Sequence, residues 1–351
     1  MASKIPATVV TGFLGAGKTT LIRHMLANAG GRRIALIINE FGDLGVDGDI
    51  LKGCGDAACR EEDIMELSNG CICCTVAEDF VPTMEKLLDR SEAPDHIVIE
   101  TSGLALPQPL VRAFNWPGIS TRVTVDGVVT VVDGKAVAEG RFAHDEAALD
   151  RQRAADETLD HETPLAELFA DQLACADMIV VNKTDLLAAA EAETLAARLE
   201  SDARPGVHVV RTAMGALPVE VLLGQGAGAE ADMAARHEIH HHHHHDEDGA
   251  TDDHHDHDDF ESFVVTRDEI ADPARFAEQV AAVIRAHDIL RLKGFAPVAG
   301  KPMRLTLQAV GPRIDSYFDR PFRPGEPREA RLVVIGQAGL DRAAIETALS
   351  A

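Results

Sequence analysis

The sequence predicts an α/β protein, in which a P-loop nucleotide-binding domain with a mostly parallel, doubly covered sheet precedes a small C-terminal α+β domain. Three observations predict it. A glycine-rich phosphate loop follows a short apolar run, further apolar runs alternate with helical patterns, and the composition changes sharply after residue 225. We therefore divide the 351 residues into a nucleotide-binding domain (1–225), a disordered linker (226–259) and a C-terminal domain (260–351).

The alternation is read from short apolar runs and from apolar residues spaced three and four apart. In the first domain it predicts strands near residues 7–11, 34–39, 96–100, 127–132, 178–182 and 207–211. It predicts helices near residues 18–28, 77–90, 107–114, 164–174 and 190–201. In the C-terminal domain we expect strands near 262–266, 291–294, 304–310 and 331–336, and a helix near 273–286. Strands joined through helices form parallel sheets that are covered on both faces.

Residues 12–19, Gly-Phe-Leu-Gly-Ala-Gly-Lys-Thr, match the phosphate-loop pattern G-x-x-x-x-G-K-S/T between a strand and a helix. The glycines allow a tight turn whose N–H groups face phosphate oxygens, and the helix start adds partial positive charge. Lys18 would reach the β- and γ-phosphates, and the Thr19 hydroxyl would bind Mg²⁺. The alternative, a glycine-rich turn with a surface lysine, is disfavoured by the flanking strand and helix. The residues expected to bind nucleotide here are Gly12, Gly15, Ala16, Gly17, Lys18, Thr19 and Thr20.

Asn182-Lys183-Thr184-Asp185 gives the pattern N-K-x-D at the end of a predicted buried strand. The Asp185 carboxylate can accept from the N1–H and the 2-amino group of guanine, whereas adenine would leave it unpaired. Asn182 would contact the base edge or brace the loop, and the Lys183 stem could lie on the ring face. Alone the pattern also fits an ordinary turn, but downstream of a phosphate loop it indicates GTP.

Cys71, Cys73 and Cys74 place three thiols within four residues. Thiolates at this density suit a thiophilic ion such as Zn²⁺, Co²⁺ or Cu⁺, and three ligands leave a coordination position open. Buried structural cysteines or a redox role are the alternatives.

The other three cysteines give weaker signals. Cys54 and Cys59 could be accessory ligands or a redox pair, and Cys175 lies among apolar residues and is expected in the core. Six cysteines, a phosphate loop and no signal peptide lead us to expect a reducing cytoplasm and free thiols.

Five motifs together resemble the CobW family of P-loop GTPases over the first domain, and the last segment resembles that family's small C-terminal domain. The motifs are residues 12–19, Asn39-Glu40-Phe41-Gly42, residues 71–74, Glu100-Thr101-Ser102-Gly103 and residues 182–185. The resemblance implies a metal-handling GTPase that binds Co²⁺ with Mg-GTP and delivers it to a cobaltochelatase. A zinc-handling chaperone of the same family is the alternative.

The resemblance also implies roles for three further residues. Glu100 closes a predicted strand, where an acidic residue holds Mg²⁺ through water, and Gly103 resembles the glycine whose N–H meets the γ-phosphate. Glu40 lies where the family has its first switch, and would position the attacking water or lend an oxygen to the metal. A helix-capping or solvent-facing carboxylate is the alternative for Glu40.

The linker combines histidines with acids, including six consecutive histidines at 240–245. This composition cannot form a core, and it suits weak binding of Co²⁺, Ni²⁺ and Zn²⁺ at several sites, with a plain solvated spacer or a purification tag as alternatives. The net charge of −25 disfavours nucleic acid and anionic membranes as partners, and no apolar run approaches a membrane span.

Two functions account for these features. A GTP-hydrolysing metallochaperone uses the phosphate loop, N-K-x-D, the cysteines and the linker together. A non-catalytic metal buffer or sensor would use nucleotide only structurally. A small-molecule kinase fits less well, because N-K-x-D disfavours adenine and the sequence offers no evident acceptor site.

Overall fold

A computed structural model of the chain describes residues 4–39, 64–67, 80–155, 164–233, 236, 260–310, 313–323 and 326–350. The chain forms two compact units that divide near residue 254, each with its own sheet and core. None of the helices in these described ranges is long and apolar enough to cross a membrane.

The first unit is built on a seven-stranded sheet in the order β3-β2-β4-β1-β5-β6-β7, and every pairing is parallel. The strands are β1 Ile5–Thr11, β2 Ile34–Asn39, β3 Ile64–Leu67, β4 His96–Glu100, β5 Val123–Asp133, β6 Met178–Asn182 and β7 His208–Arg211. Every residue of β4 and of β6 is buried, so these strands are covered on both faces. The predicted fold class is confirmed.

The helices of this unit lie between the strands in sequence, except the last, which follows β7. They are Lys18–Ala27, Val81–Leu88, Pro107–Ala113, Pro117–Ser120, Gly134–Ala138, Glu146–Ala155, Leu165–Cys175, Ala189–Asp202 and Val219–Leu222. On one face of the sheet, Val9, Ile37 and Ile99 pack with Met84 and Leu110 of two helices. Full burial of such a side chain stabilises the fold by about 1.5–3 kcal/mol. The core is mainly aliphatic, as the low aromatic content requires.

The second unit is a five-stranded antiparallel sheet in the order β11-β10-β9-β12-β8. Its strands are β8 Phe260–Arg267, β9 Ile289–Pro297, β10 Met303–Val310, β11 Arg313–Pro321 and β12 Ala330–Gln337, and its helices are Pro273–Ala286 and Arg342–Ser350. Asp272 caps the first helix by accepting the N–H groups of residues 274 and 275. Phe276 and Val280 of this helix pack on Leu307 and Leu332.

Seven elements were not predicted from the sequence. Three of them are helices of only four or five residues, Pro117–Ser120, Gly134–Ala138 and Val219–Leu222. The other four are two strands and two longer helices. Strand β3 has only four residues, too few for a periodic pattern. In the helix Glu146–Ala155, Leu149 is buried and none of the described alanines is, so this helix gives no clear apolar periodicity either. Strand β11 is a largely exposed edge strand, and the helix Arg342–Ser350 buries only Ile345 and Leu349.

The predicted linker begins too early. Residues 226–233 belong to the first unit, where Ala229 is fully buried in the core. The N–H groups of Gly224 and Gly226 donate to the buried Asp126 carboxylate, at 2.5 and 2.9 Å. Arg236 is also buried, and its guanidinium donates to both oxygens of Asp177 at 3.0 and 2.9 Å. These polar anchors hold a segment whose glycine-rich composition predicts disorder.

Candidate nucleotide site

The phosphate loop leaves β1 at the centre of the sheet, between β4 and β5. In a parallel sheet all carboxyl ends lie at the same edge, which is where such folds bind ligands. Residues that end or follow β1, β4 and β6 therefore meet at this edge, as the sequence analysis expected for residues 12–19, Glu100 and Asn182.

The phosphate loop depends on its glycines for conformation and for space. Gly12, Gly15 and Gly17 have φ values of 136°, 78° and 104°, which L side chains rarely adopt. A Cβ on Gly12 would lie 2.1 Å from the carbonyl oxygen of Val131, and a Cβ on Gly17 would lie 2.2 Å from Nδ2 of Asn182. Any side chain at either position would displace the loop from β5 or β6.

Helix Lys18–Ala27 begins directly at the loop, and no side chain caps its start. The residue before the helix, Gly17, has no side chain that could cap it, and the first N–H groups together with the helix dipole form an anion site. Lys18 is buried, and its ammonium donates to the carbonyl oxygens of Gly12 at 2.8 Å and Phe13 at 3.4 Å. The charge is therefore held over the loop, where phosphate oxygens can replace the carbonyls.

Thr19 lies at the start of the helix Lys18–Ala27 and Glu100 at the end of β4, and their side chains meet. The Thr19 hydroxyl donates to Oε1 of the buried Glu100 at 3.3 Å. Two hard oxygen donors beside a phosphate site fit Mg²⁺, which keeps several waters and takes few protein ligands. The residues present therefore suit the metal that the sequence predicted here.

Asn182 braces two loops across the site. Its Nδ2 donates to the Ala16 carbonyl at 2.9 Å, and its Oδ1 accepts the Gly215 N–H at 3.0 Å. The side chain is buried, and both ends of its amide are used. Of the two roles that the sequence left open, the structure has the brace.

Lys183 and Asp185 follow on a left-handed turn, with φ of 62° at Lys183. The Lys183 ammonium donates to Oδ2 of Asp133 at 2.6 Å, and Oδ1 of Asp133 accepts the Ala136 N–H at 3.0 Å. Asp185 is exposed in the turn Thr184–Leu186, so its carboxylate faces solvent at the edge of the sheet. Within the described residues the Asp185 carboxylate forms no ion pair. It can therefore accept hydrogen bonds from a base that binds at this edge.

Sequence reasoning missed the loop that follows β7. Gly215 has φ of 66°, and a Cβ there would lie 2.8 Å from Cα and N of Leu21 in the helix after the phosphate loop. Beside it, Met214 also has a positive φ, of 52°, and is 71% exposed. The signal was available, because Thr212-Ala213-Met214-Gly215 directly follows a predicted strand, at the edge that binds ligands.

Gly103 lies against the phosphate loop. A Cβ on Gly103 would come within 2.7 Å of the Leu14 backbone nitrogen. The segment is tied to β1 by the Thr101 N–H, which donates to the Val10 carbonyl at 2.9 Å. The glycine that the resemblance associates with the γ-phosphate is therefore next to the loop that binds phosphate.

Several predicted residues lie outside the described ranges. They are Glu40, Cys54, Cys59, Cys71, Cys73, Cys74 and the histidines of residues 237–259. Within the part of the chain that the structure describes, no three His, Cys, Asp or Glu side chains are grouped to hold a metal ion. Cys175 is a core residue as predicted, and burial raises the pKa of its thiol to about 11.

Comparison with known families gives two matches along the chain. The CobW/HypB/UreG nucleotide-binding domain matches residues 6–211, and the cobalamin synthesis protein cobW C-terminal domain matches residues 260–351. Among curated relatives, a zinc chaperone CobW from a Sinorhizobium species is 58% identical, covering 99% of this chain and 97% of the relative.

Two further relatives are similar over nearly their whole length. A zinc chaperone CobW from Pseudomonas aeruginosa is 52% identical, covering 99% of this chain and 91% of the relative. A zinc chaperone YjiA from Escherichia coli is 32% identical, covering 95% of this chain and 94% of the relative. With both family domains matched in order, and with the phosphate loop and N-K-x-D motif on one sheet edge, this chain belongs to the CobW family of metal-handling P-loop GTPases.

Proposed function

We propose that this GTPase is a metallochaperone whose cargo is Zn²⁺, bound by the thiolates of Cys71, Cys73 and Cys74 when Mg-GTP is in place. Hydrolysis of GTP to GDP and phosphate weakens that site and passes the ion to a client metalloenzyme.

The observation that carries the proposal is the register of β2 and β3. Asn39 and Leu67, the last residues of these strands, are direct partners in the parallel ladder. The chain therefore leaves the sheet at two neighbouring points, about 4.8 Å apart. The Glu40 segment starts at one point, and Cys71 follows the other by four residues. The same register joins Ile38 of β2 to Glu100 of β4, and Glu100 to Val10 of β1, so both exits share an edge with the nucleotide site.

The nucleotide half of the mechanism uses described residues. Lys18 and the N–H groups at the start of its helix stabilise phosphate charge, and Thr19 and Glu100 would hold Mg²⁺, which when bound neutralises the same charge. Gly103 would donate its N–H to the γ-phosphate. Glu40, which lies outside the described ranges, would orient the attacking water. Asp185 would select guanine.

The choice of Zn²⁺ over Co²⁺ rests on the relatives. The resemblance alone implied Co²⁺ and delivery to a cobaltochelatase, whereas three similar chains are zinc chaperones by name. Thiolate ligands bind Zn²⁺ at least as tightly as Co²⁺, so the chemistry agrees. Cobalt and a cobaltochelatase client remain predictions of the sequence, and competition between the two ions tests the choice of metal.

The experiment uses Co²⁺ as a spectroscopic probe of the full-length protein and Zn²⁺ as its competitor. Thiolate coordination gives Co²⁺ a charge-transfer band in the near ultraviolet. We expect the band with Mg and a non-hydrolysable GTP analogue, its loss with GDP, and its loss again on adding equimolar Zn²⁺. Cys73→Ser should remove most of the band, whereas the control Cys175→Ala, in the core, should retain it.

The outcomes separate the candidates. Failure of Zn²⁺ to displace Co²⁺ would make Co²⁺ the cargo. Equal metal affinity in the GTP, GDP and nucleotide-free states would refute the coupled mechanism and indicate a passive metal buffer. A band that survives Cys73→Ser would place the metal on other ligands.

A further inference from the structure

The helix Leu165–Cys175 contacts both the phosphate loop and the segment that follows Glu100. The Phe169 ring stacks on Phe13 of the phosphate loop, with centroids 5.9 Å apart. Gln172 lies one turn later on the same face and is fully buried. The helix is itself fixed to the sheet, because the Thr130 hydroxyl donates to the Gln172 carbonyl at 3.0 Å.

The Gln172 side chain holds the segment that follows Glu100. Its Nε2 donates to the carbonyl oxygens of Gly103 and Ala105, both at 3.2 Å. Because both partners are acceptors, only the amide nitrogen can face them. Oε1 is buried and has no hydrogen-bond partner among the described residues, so the side chain serves these two carbonyls alone.

The two carbonyls belong to a tight turn. The Ala105 N–H donates to the Ser102 carbonyl at 3.1 Å, which closes residues 102–105 into a turn with Gly103 inside it. One side of Gly103 meets the Leu14 nitrogen of the phosphate loop, and the other side is held by Gln172. Gln172 therefore fixes the orientation of the turn, and with it the direction of the Gly103 N–H.

We propose that Gln172 is a positioning residue for GTP hydrolysis, which aims the Gly103 N–H at the γ-phosphate. The inference rests on the proposed role of Gly103, and it does not depend on which metal ion is the cargo. A misdirected donor lowers the rate of the chemical step more than it lowers GDP affinity, since GDP has no γ-phosphate.

The test replaces Gln172 with Met, which has similar length and no donor. We expect kcat for GTP to fall by about 10-fold or more, with Kd for GDP within about 2-fold of wild type. Gln108→Met is a matched control. Gln108 is also buried and donates to the Asp171 carbonyl on the same helix, at 3.1 Å, but within the described residues its amide forms no hydrogen bond with Gly103. This control should lower Tm without lowering kcat.

Gln172→Glu gives a readout that a purely structural role would not move. A carboxylate would face two carbonyl oxygens, whereas the protonated acid can donate to one of them. Relative to wild type, kcat of this variant should rise as the pH falls, and the Met variant should show no such recovery. This arm also decides the question if Gln172→Met does not fold.

Two results would overturn the inference: kcat within 2-fold of wild type for Gln172→Met, or equal losses of kcat for the Gln172 and Gln108 variants. Gly103→Ala separates this failure from failure of the Gly103 role. If Gly103→Ala retains the wild-type preference for GTP over GDP, Gly103 does not contact the γ-phosphate. If it loses that preference while Gln172→Met keeps full activity, only the inference about Gln172 fails.

Discussion

Asn182→Ala should weaken GTP and GDP binding together, because it removes a brace rather than a contact with one ligand group. The amide joins the phosphate loop at Ala16 to the loop after β7 at Gly215. Its removal leaves a buried carbonyl and a buried N–H without their partner, at about 1–3 kcal/mol each. We expect nucleotide-free protein to lose about 3 kcal/mol of unfolding free energy, which lowers Tm by about 6–12 °C for a domain of this size.

The assay is urea unfolding of nucleotide-free protein, followed by calorimetric titration with GTP and with GDP. The affinities for GTP and for GDP should each fall by about 10-fold or more, because a loss of about 1.4 kcal/mol of binding free energy weakens an affinity 10-fold. Asn115→Ala is the matched control. The Asn115 side chain is exposed and donates once, to the Glu230 carbonyl at 2.7 Å, so its loss should cost less than about 1 kcal/mol and leave nucleotide affinity unchanged.

Two results would refute this reasoning. A loss of unfolding free energy below about 1 kcal/mol for Asn182→Ala would show that the two hydrogen bonds do not stabilise the loops. A loss of GTP affinity with GDP affinity unchanged would show that Asn182 acts on the γ-phosphate side instead of bracing both loops.

Four further predictions follow from the same structure. Asp185→Asn should weaken GTP binding by about 10-fold or more with little effect on metal binding by nucleotide-free protein, and equal ATP and GTP affinity in wild type would contradict the guanine assignment. Arg236→Met should cost about 3 kcal/mol in urea unfolding, because it leaves a buried aspartate with one guanidinium instead of two. Deletion of 237–259 should reduce the number of weakly bound Zn²⁺ ions in equilibrium dialysis and keep one tight site, and in wild type the weak capacity should fade below about pH 6. Hydrogen bonding from Arg304 lowers the pKa of Asp319 to about 2, so this carboxylate stabilises the fold above its unfolded pKa. That contribution to the free energy of unfolding is lost as the pH falls from about 4 to 2. In Asp319→Asn, the urea concentration at the unfolding midpoint should therefore depend less on pH over this range.

The elements that the sequence predicted correctly are those whose information is local. Residues 12–19 carry their own turn, helix start and charge, so the pattern predicts the loop wherever it occurs. The buried strands β4 and β6 are continuous apolar runs bounded by polar residues, and they were predicted almost to the residue. Here local propensity, periodicity and tertiary burial all favour the same structure.

What the sequence left open or missed depends on partners far apart in the chain. The sequence left two roles open for Asn182, and the bracing contact with Ala16 spans 166 positions. The Arg236–Asp177 pair, which was not predicted, spans 59. In a sequence, a charged residue in a glycine- and alanine-rich stretch indicates solvent exposure, because Arg and Asp are rarely buried unless paired. The pairing that reverses this expectation at Arg236 is visible only in three dimensions. Strand β3 is similar, because four residues become a strand through pairing with β2.

That short strand also determines what the proposed mechanism must satisfy. Asn39 and Leu67 are paired at the edge of the sheet that binds nucleotide. Loss of the γ-phosphate that alters the segment after Asn39 therefore acts about one strand spacing from the segment that leads to the cysteines after Leu67. Linkage then requires the metal to favour GTP over GDP by the same factor that GTP favours the metal. Hydrolysis gives direction only if the client's metal affinity lies between the affinities of the GTP and GDP states. If the GTP state binds the metal about 100-fold more tightly than the GDP state, which is about 2.7 kcal/mol, a client can accept the ion when its own affinity lies within those two orders of magnitude. A coupling below about 5-fold leaves almost none, so the measured ratio of metal affinities in the two states decides whether this GTPase can deliver Zn²⁺ or only hold it.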